Sequence, residues 1–355
     1  MALLDVFRSD AFSMHNLTAS MEKLPYVPSR IGKMNLFTMK PATTRTAYIE
    51  EKRGQISVLP TATRGQQGRP TNSENARKVH QFDIPHVPQH DAVMADELEG
   101  KRAFGSETQT EVFATIVNDK LSSMKQNHEA TWEWHRLGAL KGIILDSDGS
   151  TEILNLFTFF GITQTEHDFN RYDSGNYDAA APAQRVRTLA SLIKRSIRDA
   201  LGGTPFTGVT ALCGDNYFDY LAEHATVRGA YKNTPAANTV LAESPVTTGP
   251  DGDYIDFAGI RWENYRGAVG SLTFVDDNSA VIFPTGAPGI FLEMPAPATY
   301  IETVNTRGQR LYVKQKVMDW DQGVELRSES NNLFICTRPA CLIASSLVNT
   351  AGTGT

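Results

Sequence analysis

TWEWHRLGALKGIILDSDGSTEILNLF, residues 131–157, holds the choice between two folds. It sets Trp132 and Trp134 near the end of a helical pattern. An aliphatic run follows, then Asp146-Ser147-Asp148-Gly149, then a second apolar run. An Asp-Gly pair between apolar runs is a strong hairpin signal, because glycine adopts the left-handed backbone that a tight reversal needs. Asp148 and Gly149 are then structural residues of a turn. The same residues after an aliphatic strand also fit a phosphate-transfer site. Asp146 would then be the nucleophile and Asp148 the general acid and base.

Upstream, residues 106–141 are predicted as one long helix. Ser106 and Gln109 fit a capping box. Val112, Phe113, Ile116, Val117, Leu121 and Met124 keep a helical stripe, which resumes at Trp132, Trp134 and Leu137. Unbroken, this helix would run about 54 Å. It is either a spine for other elements or it breaks near the polar KQNHE at 125–129. Trp132 and Trp134 anchor it, and one of the pair is expected in the core.

Residues 1–45, with Pro25, Pro28 and Pro41, have little periodicity and fit an arm laid over its own domain or a neighbour. TAYIEEKRGQISVL, 46–59, carries strand formers with a reversal at Arg53-Gly54. The tract 60–78 is too polar to build a core. Strand character returns in VHQFDIPH, 79–86, where His80, Phe82 and Ile84 share a face. The whole of 46–86 is therefore a long two-stranded excursion. Such a ribbon is barely stable alone and needs a partner surface, which a second subunit can supply. Glu50, Glu51, Lys52 and Arg53 put mixed charge on it.

Downstream, 163–180 has the composition of a linker. Pro182 opens a second helix, with Val186, Leu189, Ile193, Ile197 and Leu201 at helical spacing and Gly202-Gly203 to stop it. Short strands and helices then follow without regular alternation, which makes the class α+β.

The 355 residues are 41% hydrophobic and 21% charged, enough for a core, and the net charge of -6 argues against a surface that grips nucleic acid throughout. Cys213, Cys336 and Cys341 form no disulfide or zinc framework. The first residues lack a signal-peptide pattern, and no stretch has the length and apolarity of a membrane span.

The enzymatic alternative is a magnesium-dependent phosphatase of the haloacid-dehalogenase type. It would add Asp215 and Asp219 of GDNYFD as metal ligands and Lys194 for charge compensation. Its supporting strands are thin: GIIL and VTAL are only four residues each. Asp215 as a helix N-cap is the simpler account. His80, His86, His90 and Asp91 have no compact metal-site spacing. The basic face of 183–201 is a solvated or subunit-facing surface. Neither cofactor nor metal is expected.

Six stretches, in this order, carry a resemblance. They are SMHNLTASMEKLPYVPSRIGKMNLF (13–37), YIEEKRGQISVLPTATRG (48–65), FDIPHVPQHDAVMADELEGKRAFG (82–105), TWEWHRLGALKGIILDSDGS (131–150), DFAGIRWENYRG (256–267) and SNNLFICTRPACLI (330–343). The chain resembles the major capsid protein E family of tailed bacteriophages, which have the HK97-type shell fold. The resemblance implies an N-terminal arm (1–45) and an extended two-stranded loop (46–85). It implies a peripheral domain (86–182) with the long helix as its spine, a mixed α/β axial domain (183–310), and a return to the peripheral domain (311–355). It implies a virion protein that assembles in the host cytoplasm as hexamers and pentamers around DNA, without sequence-specific binding, and expands on maturation. Scaffolding, portal and decoration proteins are the implied partners; no membrane is involved. Glu50, Glu51, Lys52, Arg53 and Arg64 are the inter-subunit contact candidates. An encapsulin-like compartment shares the fold and is the nearest alternative.

Overall fold

The computed structural model describes residues 30–52, 77–98, 109–168, 185–232, 245–249, 252–269 and 272–347. Most of the expected arm, the Arg53-Gly54 reversal, Arg64 and Ser106 lie outside these residues.

Gln109–Lys141 is one uninterrupted helix, about 50 Å long. The break considered near 125–129 does not occur. Lys125, His128 and Glu129 are buried and Gln126 and Asn127 exposed, so this polar segment is a helical turn with three residues facing inward, not a loop. Val117, Leu121, Met124, Leu137 and Leu140 supply the apolar part of the packing. The helix stops at Gly142, whose φ of +83° only glycine adopts cheaply. A Cβ there would also lie 2.3 Å from the Phe157 ring.

Ile143–Leu145 then pairs antiparallel with Glu152–Asn155. The Asp146 amide donates to Thr151 O at 2.9 Å, and Gly149 N to Asp146 O at 3.0 Å. The chain reverses between them, with Gly149 at φ +71°. Asn155 caps the short helix Leu156–Phe160 by accepting from the amides of Phe157 and Thr158.

A seven-stranded mixed sheet holds much of the core. Its order is Thr165–Asp168, Ile343–Ser346, Ser279–Thr285, Gly208–Cys213, Ile260–Asn264, Gly252–Phe257, Thr247–Gly249. The helix Arg185–Leu201 buries Val186, Leu189, Ile193, Ile197 and Leu201, the stripe its sequence shows. Sheet membership cuts across the expected segments. Thr165–Asp168, in a stretch with linker composition, pairs parallel with Ile343–Ser346. Ile343–Ser346 in turn pairs with Ser279–Thr285. The cause is the buried run 280–284: a strand buried along its length needs backbone partners on both edges.

Two smaller sheets flank the long helix. Tyr312–Val317, Gly323–Ser330 and Val87–Met94 form a three-stranded antiparallel sheet. Thr38–Met39, Phe291–Pro295 and Asn332–Cys336 form the other. Separately, Thr46–Lys52 runs as one strand antiparallel to Arg77–Asp83. Its partner is thus the remote strand of the excursion, and the pair extends to Lys52 opposite Arg77. At Gly214, the N-cap of the helix Asp215–Glu223, no side chain caps; Asp215 is the first helical residue and not the cap the sequence suggested.

Candidate functional site

The excursion is seated through its base. Ala47 stands opposite Phe82 and Ile49 opposite His80 on one face of the pair. Phe82 stacks on Phe159 at 4.4 Å between centroids, and His80 lies 4.9 Å from Phe160. His80 and Phe82 are buried, whereas Tyr48 on the other face is exposed. The partner surface at the base therefore belongs to the same chain, from the short helix that Asn155 caps. Glu50, Glu51 and Lys52 lie on the far side of the seated rungs, opposite Val79, Lys78 and Arg77.

A second junction fixes residues 30–33, where the described N-terminal part begins. Glu133 projects from the long helix and accepts from Ile31 N at 2.7 Å, Gly32 N at 3.2 Å and Tyr265 Oη at 3.1 Å. Arg136, one turn on, stands 3.7 Å from the same carboxylate and lies over the Phe334 ring. Arg30 grips Glu263 with two guanidinium nitrogens, at 2.8 and 2.5 Å. Burial, reinforced by Glu133, pushes the Tyr265 phenol well above the usual tyrosine range, so it stays a donor. The long helix and the seven-stranded sheet thus hold the entering chain between them.

The third junction joins the long helix to strands 323–336. His128 Nε2 lies 2.8 Å from Ser328 Oγ, and Trp132 Nε1 donates to Ser330 Oγ at 2.7 Å. One helical turn on the helix matches two residues on the strand. Burial lowers His128 and His135 to about 4, so both are neutral near pH 7. Glu329 is buried and accepts from Thr299 N and Oγ1 and from Arg327. Glu293 is likewise buried and held by both Arg310 nitrogens, at 2.6 and 2.7 Å. These carboxylates act as fixed brackets, Glu329 to a segment 30 residues away and Glu293 to one 17 residues away.

The residues of the enzymatic alternative are engaged otherwise. Asp148 accepts from Thr151 Oγ1, Thr151 N and Ser150 N, at 2.5, 2.9 and 3.0 Å. These bonds, the Thr151 hydroxyl first, hold its carboxyl well below the usual range. Asp146 accepts from Ser147 N, and Trp134 Nε1 donates to Leu145 O at 2.9 Å on the same turn. Asp215 is bound by Arg266 at 2.8 Å, and Lys194 donates to Ala258 O at 2.6 Å. His86 meets Asn331 at 2.8 Å, and Asp91 meets Lys120. Among the described residues, no three His, Cys, Asp or Glu side chains are grouped to hold a metal ion.

Of the two tryptophans, Trp132 is the buried one, while Trp134 is half-buried against the turn. Sequence reasoning did not find Glu133, Glu263, Glu293 or Glu329. A carboxylate between two tryptophans near the end of a helix was the one available hint: position 133 had to share their environment.

A family model described as phage major capsid protein E matches residues 13–346. The major capsid protein of Salmonella phage Felix O1 is 25% identical over 94% of this chain and 95% of its own. That of Pseudomonas phage KPP10 is 24% identical over 94% and 96%. In fold, the chain is similar to a putative capsid protein of an Escherichia coli CFT073 prophage, with TM-score 0.53, 11% identity and coverage of 95% and 99%. The PhiM1 mature capsid gives TM-score 0.51, 12% identity and coverage of 92% and 89%.

Proposed function

Since the chain belongs to the phage major capsid protein E family, we propose that it works as hexamers and pentamers that close an icosahedral head around double-stranded DNA. As a member of that family it is a structural protein of the phage virion and not an enzyme. The family match favours a phage head over the encapsulin-like alternative, and the engaged acids leave the phosphatase reading without a site.

The observation that carries the assembly reading is the strand pair 46–52 and 77–83. It is docked on Phe159 and Phe160 through its base, and its two strands are joined by the sequence 53–76. A pair this short gains little from its own hydrogen bonds, so a longer excursion is best explained by contact with another copy. In this reading Glu50, Glu51, Lys52, Arg53 and Arg64 meet complementary charges on the neighbour, where rim charges set register and partner choice more than affinity. The long helix is the spine of a peripheral domain near 86–182, to which 311–355 return. Residues 183–310 pack around the capsomer centre. Residues 1–45 form an arm, of which Ile31 and Gly32 are fixed at Glu133. Scaffolding and portal proteins guide assembly, a shell expansion follows DNA entry, and a decoration protein can bind the outer surface. An overall acidic chain encloses DNA without gripping it.

Negative-stain microscopy of the chain expressed with its neighbouring phage genes tests this. Wild type gives closed shells. Glu50→Lys with Glu51→Lys gives soluble subunit with an unchanged melting temperature and few shells. Normal shells from that double variant would remove the charged contact from the account.

A further inference from the structure

Trp320 sits at the tip of the hairpin that joins Tyr312–Val317 to Gly323–Ser330, and it is 91% exposed. Its backbone is left-handed, φ 65° and ψ 19°. A bulky side chain is disfavoured there, and glycine or asparagine would serve the turn better. The indole is thus both strained and unburied, a combination that earns nothing within the subunit. Asp319 beside it is exposed and forms no ion pair among the described residues.

A matching feature flanks the same hairpin. The loop 300–307 is pinned by Thr303 Oγ1 to Ala298 O at 2.8 Å, and by Lys314 to Glu302 at 2.9 Å. It holds Ile301 and Val304 outward, 92% and 62% exposed. Arg307 follows, exposed and likewise without an ion pair among the described residues. Lys314 ties the loop to the root of the hairpin, so the extended run from Lys314 to Val317, about 10 Å, separates it from the tip. Within one chain neither Trp320 nor Ile301 covers the other: both stay more than nine-tenths exposed.

We propose that the Trp320 tip of one copy seats on the Ile301–Val304 loop of a second copy of this chain, with Asp319 paired to Arg307. The contact is head-to-tail: each copy offers one tip and one receiving loop. Such contacts propagate around a ring or lattice and do not stop at a pair. Apolar matches apolar, and the free acid matches the free base. An aromatic anchor with a charged flank is also the common form of a strong interface residue. The proposal rests on the capsid reading above and names a contact that the extended loop does not supply.

The test uses the full chain expressed with its neighbouring genes. Trp320→Gly removes the indole and relieves the turn, and Trp320→Asn repeats the test with a residue that tolerates the same backbone. Both should melt no lower than wild type and raise the subunit concentration needed for shells by about thirtyfold. Arg307→Glu and Asp319→Arg should each reduce shells, and the two together should restore them. Normal shells from both Trp320 variants overturn the contact while leaving the capsid reading intact; absence of shells from wild type removes both. Failure of the double charge swap to restore shells assigns the tip to a different protein and also overturns the proposal.

Discussion

Two helices of this molecule bury themselves by opposite means. Arg185–Leu201 lays one apolar stripe on its neighbours and leaves Arg187, Arg195 and Arg198 in water. Gln109–Lys141 has no such division in its last turns: from Trp132 to Leu140 every residue but Trp134 is buried. It is enclosed by residues 30–33, by Asn332–Cys336 and by the Ile143–Leu145 hairpin. Buried polar groups on it are matched to partners: Glu133 to two amides and a phenol, His128 to a serine. A one-sided helix is held by area and tolerates local change. An enclosed helix is held by matched pairs and does not.

The sharpest way to break this contrast is to change one buried residue on each helix. Glu133→Ala strips the acceptor from Ile31, Gly32 and Tyr265 and leaves Arg136 buried without its counter-ion. Removing one partner of a buried charge pair costs about 3–5 kcal/mol. Ile193→Val, in the middle of the other helix, should cost about 0.5–1.5 kcal/mol. Urea unfolding of the unassembled subunit measures both. Equal losses would mean that Glu133 is not a bracket but one packed residue among many.

Acid should find the enclosed helix before the one-sided one. His128 and His135 have folded pKa values of about 4, against 6.5 when unfolded, because burial disfavours their charged forms. The unfolded chain therefore binds protons first. Stability is full above pH 6.5 and declines as pH falls toward 4. Between pH 7.5 and 5 each should remove about 2 kcal/mol. His167, also lowered by burial, adds in the same direction. His128→Gln should flatten the decline measurably at an unchanged urea dependence. A stability curve of the wild-type subunit that is flat from pH 7.5 to 5 would contradict the buried, neutral state.

What the sequence revealed follows the same division. The second helix was legible because its stripe runs at one period from Val186 to Leu201. The Asp146–Gly149 turn was legible because Asp-Gly between apolar runs has one cheap geometry. KQNHE at 125–129 was open to being a break because helical periodicity assigns polar residues to the wet face, and here Lys125, His128 and Glu129 are on the buried one while only Gln126 and Asn127 meet water. The brackets Glu263, Glu293 and Glu329 were invisible: a glutamate in a strand is indistinguishable from a surface residue until its arginine, hundreds of positions away in the case of Arg30, is known. The strand Thr165–Asp168 was hidden for a related reason. It is a strand because Ile343–Ser346 offers it a backbone edge, and nothing local encodes that.

The smallest expected effect tests whether the turn after the long helix belongs to the enclosed network or stands apart. Gly149 is at φ +71°, where an added Cβ costs about 1–2 kcal/mol in backbone strain. That Cβ would also approach Leu272 Cδ2 to 2.8 Å, a contact the flexible end of a leucine can relieve. Gly149→Ala should therefore lose about 1–2 kcal/mol and no more. Asp148 keeps its bonds to Ser150 and Thr151, and Trp134 keeps its carbonyls at Leu145 and Asp146. None of these partners is shared with Glu133, so the losses from Gly149→Ala and Glu133→Ala should add to within about 0.5 kcal/mol in the double variant. A larger departure would show that the hairpin and the Glu133 bracket respond as one unit through the end of the long helix, and the enclosed region would then extend past Gly142 into the turn.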